Sequence, residues 1–124
     1  MTSTNTVTVD FIARGTTPDE WRMVLVESGP WKGAIEDHLR ILQDRLYGCI
    51  DAALAGDLAE KFPESTGRRL LIQVDCYNVP REEVNSFFEE FSAGVFETAD
   101  YRGVATKSAY VRGLEFAITF DLIH

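Results

Sequence analysis

PWKGAIEDHLRILQDRLYGCIDAALA, residues 30–55, places apolar side chains at Ile35, Leu39, Leu42, Leu46, Cys49 and Ala53. Intervals alternating between four and three residues put these on one face of an α-helix, the strongest periodic signal in the chain. Pro30 suits a helix start, because a first-turn proline gives up no hydrogen bond the helix needs. Gly56 suits its stop, because a residue without Cβ takes the left-handed conformation cheaply. Asp57 with Glu60 three residues later has the spacing of a capping box for a short second helix that Pro63 closes.

Around this helix the periodicity changes to two. Val7, Val9 and Phe11 alternate with polar or facing positions, and Trp21, Met23 and Leu25 alternate with Arg22, Val24 and Val26. The run from Gly15 to Asp19 between them has turn chemistry, so the two read as an antiparallel hairpin. Leu70, Ile72, Val74 and Cys76 mark a third strand, and Leu114, Phe116, Ile118, Phe120 and Leu122 a last one. Between these strands Pro80 opens another helix, with Val84, Phe87, Phe88, Phe91 and Val95 on one stripe. Residues 97–112 show no sustained period and read as irregular, with room for a short edge strand. The expected order is β-β-α-(short α)-β-α-β. It suggests an α+β two-layer sandwich: a four- or five-stranded, mostly antiparallel sheet with the helices on one face. Residues 1–6 read as a disordered tail and 7–124 as one domain, a size that 14 aromatic residues and 45 % hydrophobic composition can fill.

Twelve basic against twenty acidic residues give a net charge of −8. Such a field repels phosphate backbones and anionic lipid, which disfavours nucleic acid and membranes as partners. No stretch has the apolar length of a signal sequence or a membrane span, so a cytoplasmic location is expected. Cys49 and Cys76 are too few for a disulfide scaffold, lack metal spacing, and read as buried thiols.

Chemistry-bearing motifs are missing. Gly29 and Gly33 lack the remainder of a phosphate loop, and no serine lies in a nucleophile-elbow context. His38 pairs with no convergent ligand set, so neither a metal nor a cofactor is expected. His38 and Cys49 are eleven residues apart, about 16 Å along a helix at the usual rise, too far for a dyad. The best constructible site places Asp10, Asp75 and Asp121 on one sheet face with Arg22, Gln73 and Tyr77, where carboxylates could meet a small molecule.

The other candidates are contacts for a partner. These are Trp31 near the helix start, an aromatic of the kind enriched at interaction hot spots, His38 and Gln43 on the helix, and the acidic face of the last helix, Glu82, Glu83, Glu89 and Glu90. The leading expectation is a non-enzymatic interaction module for a basic protein, comparable to acidic immunity proteins that neutralise basic toxins. The four-three stripe would also serve a homodimer seam. The alternative is a small-molecule-binding domain or enzyme using the sheet carboxylates.

Val9-Asp10, Gly29-Pro30-Trp31, His38-Leu39, Leu42-Gln43, Leu46, Gly56-Asp57-Leu58 and Phe62-Pro63 together resemble a bacterial family of small uncharacterised proteins, a domain of unknown function. The resemblance covers roughly the first 75 residues. It implies a soluble bacterial α+β domain and no particular activity.

Overall fold

The computed structural model describes residues 11–14, 19–95 and 110–121. The expected tail 1–6, the strand start at Val7, Asp10 and most of 97–112 lie outside the described residues. Among the described residues four strands and two principal helices follow one another as β1 (Phe11–Arg14), β2 (Glu20–Ser28), α1 (Ile35–Ala55), a short α2 (Asp57–Lys61), β3 (Arg68–Tyr77), α3 (Arg81–Gly94) and β4 (Val111–Phe120). The strands lie in the sheet in sequence order.

Strand direction overturns the mostly antiparallel sheet expected above. Only the four-residue β1 is antiparallel to its neighbour, with Phe11 opposite Val24. The three long strands β2, β3 and β4 are all parallel. The fold is therefore a small α+β domain built on two successive β-α-β units. Each return to the same end of the sheet needs a long crossover, which α1 with α2 supplies first and α3 second. Both steps move the same way across the sheet, and right-handed crossovers then put both helices on one face.

The register explains the core. Trp21, Leu70 and Leu114 lie side by side, followed along the strands by Met23, Ile72 and Phe116, and then by Leu25, Val74 and Ile118. Against these rows α1 buries Leu42, Leu46, Cys49, Ile50, Ala52 and Ala53, and α3 buries Val84, Phe88 and Phe91. Complete burial of one such leucine contributes about 1.5–3 kcal/mol relative to leaving it in water. Trp21 is buried here as well, its ring 5.5 Å from that of Phe62. On β4, the strand at the sheet's other edge, Phe116 meets Phe88 and Phe91 edge-on.

The helix ends are partly as expected. Gly56 stops α1 at φ 94°, with its N–H donating to Ala52 O. The start differs: α1 begins at Ile35 after Ala34, and Pro30 lies upstream, joined to Gly29 by a cis peptide. Gly33 at φ 89° breaks the helical path between them. Asp57 is the first residue of α2, Gly56 is its N-cap, and no side chain caps it, so the capping box does not form. The final strand begins at Val111, earlier than its alternation indicated.

Candidate functional site

Parallel sheets usually bind ligands beyond the carboxyl ends of their strands, where helix N-termini also point. In this molecule the chain itself fills that place. Gly29 N–H donates to Tyr77 O at 2.7 Å, and Asp121 N–H to Cys76 O at 2.7 Å. Asp121 Oδ1 then accepts the Asn78 N–H at 3.1 Å. A Cβ on Gly29 would stand 1.6 Å from the Asn78 carbonyl oxygen, so backbone packs against backbone here. The first turns carry Glu36 and Asp37 on α1 and Glu82 and Glu83 on α3. These carboxylates already complement the helix dipoles and repel an incoming phosphate.

Asp121 therefore closes a strand end, at φ 52°, and does not join the sheet face where the alternation had put it. The rest of that proposed face does assemble in part. Arg22 Nη1 donates to Gln73 Oε1 at 3.2 Å, and Gln73 Nε2 donates to Asp75 Oδ1 at 2.7 Å. Thr119 Oγ1 donates to the same oxygen at 2.8 Å, while Glu20 pairs with Arg22 at 3.4 Å. Asp75 is only 5 % exposed, and Val24 on the same face 2 %. The carboxylate is thus engaged by two protein donors and withdrawn from water, which suits a cross-strand polar brace better than a ligand anchor. Tyr77 is half-buried at the end of β3, and Asp10 lies outside the described residues.

Both cysteines are buried, and neither is in a disulfide. Cys76 closes the row of Glu27 and Phe120 at the carboxyl end of the sheet. Burial, followed by the nearby charges of Glu27, Asp75 and Asp121, pushes its thiol up to about 12. A thiol held protonated there is a poor nucleophile. Among the described residues no group of three or more His, Cys, Asp and Glu side chains is placed to hold a metal ion.

The partner-contact candidates separate into two places. Trp31 and His38 stack at the start of α1, ring centroids 4.9 Å apart and 8° from parallel. His38 Nε2–H donates to Lys32 O at 2.6 Å, which fixes the ring over the loop before the helix. The stack is local, and Trp31 also packs against the core. Gln43 and Glu90 instead line one groove between α1 and α3, together with Tyr47, Phe87, Phe91, Gly94 and Val95. Its volume is about 290 Å³.

The aromatic walls of this groove were missed in the sequence, where Phe87 and Phe91 belong to the apolar stripe of α3. The groove arises because α3 carries a wide stripe. Val84 and Phe88 turn to the sheet, whereas Phe87 stays half-buried beside α1. Tyr47 meets Phe91 edge-on at 5.2 Å, and Phe87 lies 6.0 Å from Phe91. Glu82, Glu83, Glu89 and Glu90 are all exposed along the same helix. Glu89 accepts a hydrogen bond from Asn85 at 2.6 Å. Among the described residues no Lys or Arg forms an ion pair with any of the four.

Fold and surface together define a small α+β domain with a parallel three-strand core and an acidic helical layer. The chain belongs to the family of unknown function DUF6572, whose model matches residues 1–104. That match reaches well past the segment in which the resemblance was legible, through β3 and α3. No curated protein and no solved structure matches the chain. No helix among the described residues is long and apolar enough to cross a membrane.

Proposed function

We propose that this chain is a non-enzymatic interaction module whose acidic helical layer receives a basic protein partner. The observation that carries this reading is α3, which exposes Glu82, Glu83, Glu89 and Glu90 with no basic side chain of the described residues neutralising them. Asp44 on α1 is exposed as well, so both helices of the layer present carboxylates. Unneutralised charge on one face steers an oppositely charged partner and selects against acidic ones. The internal satisfaction of Asp75 and the raised thiol of Cys76 support binding over catalysis. An immunity-like role, in which the acidic layer covers a basic effector, is one form this function would take.

The test is affinity capture from native cell lysate at low and high ionic strength, comparing the wild-type chain with a variant carrying Gln at all four glutamates. Basic proteins held at low salt, released at high salt and lost by the variant are the expected result. Equal retention by both chains would reject the reading.

A further inference from the structure

We infer that the groove between α1 and α3 is a receptor for an arginine side chain of the basic partner, which rests on the reading of the chain as an acidic interaction module. Three features specify this occupant. The walls are aromatic, with Phe91 as the floor and Tyr47 and Phe87 beside it. Aromatic faces attract cations through their negative π-density. The rim carries the Glu90 carboxylate and the Gln43 amide, and among the described residues no basic side chain lines the groove.

Size and shape agree. About 290 Å³ is at the lower limit for a pocket that takes a drug-sized molecule, and suits one long side chain. An arginine lays its apolar stem along the half-buried Phe87 and stacks its planar guanidinium on an aromatic ring of the groove. Its donors then reach Glu90 as a charge-assisted pair, with the Gln43 carbonyl as a further acceptor. The weaker hydration of guanidinium favours this over lysine, whose ammonium would give up more water on entering an aromatic groove. An anionic occupant would be repelled by the Glu90 carboxylate, and a purely apolar one would draw nothing from it.

The experiment is an NMR titration of the full chain with an oligo-arginine peptide and with its neutral citrulline counterpart. Two variants accompany the wild type. Glu90→Gln removes the rim charge. Gly94→Gln projects a side chain into the groove from a helical position where an added Cβ meets nothing within 4 Å, so the fold is retained. The arginine peptide should shift the amides of Gln43, Tyr47, Glu90 and Gly94, bind about tenfold more weakly to each variant, and outbind the citrulline peptide. Binding unaffected by both variants, with shifts spread over Glu82, Glu83 and Glu89, would overturn the groove and leave the acidic module standing. Citrulline binding as tight as arginine would overturn the cation assignment. No binding of the arginine peptide at low ionic strength would overturn the groove and the interaction module together.

Discussion

Arg45 on α1 and Glu27 at the end of β2 form an ion pair across the interface between the helical layer and the sheet. Their side chains are 18 % and 13 % exposed, and Arg45 also donates to Val26 O at 3.3 Å. The pair fixes α1 over the carboxyl end of the sheet, on the side where Cys76 and Phe120 share the row of Glu27. Its charges are largely withdrawn from water, so each depends on the other.

Arg45→Met should therefore lower stability by about 2–3 kcal/mol, because Glu27 is left charged without its partner. Adding Glu27→Leu should recover a large part of that loss, since an apolar pair of similar volume avoids the desolvation cost. Urea denaturation of the two single variants and the double variant checks this; strictly additive losses would show that the pair is not coupled.

Two glycines should respond in opposite directions. Gly29→Ala forces a methyl into the Asn78 carbonyl and must part β2 from β3 at their ends, a loss of about 3 kcal/mol or more. Gly94→Ala meets open space in a helix and should stabilise by about 0.5–1 kcal/mol. Thermal melts of both variants decide the matter.

Cys76 makes stability sensitive to alkali. Its thiol is raised from 9.0 to about 12 by burial and by neighbouring carboxylates. Below pH 9 both folded and unfolded chains hold this proton, and the group has no effect. Between about 9 and 12 the unfolded chain loses the proton that the folded chain keeps, so stability falls as pH rises through this window. Cys76→Val should flatten that decline, as measured by denaturation at stepped pH. In the native chain both thiols should resist a maleimide reagent and react after unfolding.

The helical half of this fold was more legible than its sheet. The four-three spacing identifies α1 because its inward side meets a continuous apolar surface, and Leu42, Leu46, Cys49 and Ala53 are buried as that spacing requires. Period-two alternation, by contrast, reports only that one sheet face is covered and the other is not. It is the same for antiparallel strands and for parallel strands with helices on a single face, the case found for Leu70, Ile72 and Val74. The discriminating signal was the order itself, since a helix separates β2 from β3 and β3 from β4. Gln43 and Glu90 were individually legible as surface polar residues. Their convergence was not, because it depends on how α1 and α3 lie against each other, and Phe87 has the sequence appearance of a core residue. The engagement of Asp75 by Thr119, 44 residues away in sequence, likewise depends on register between two strands.

The acidic layer as a receptor for basic protein is tested most directly by the ionic-strength dependence of oligo-arginine binding. Fluorescence anisotropy would compare the wild-type chain with the variant carrying Gln at positions 82, 83, 89 and 90. The account predicts binding that weakens steeply with added salt in the wild type and is largely lost in the variant even at low salt. Affinity independent of salt, or equal in the two chains, would contradict it.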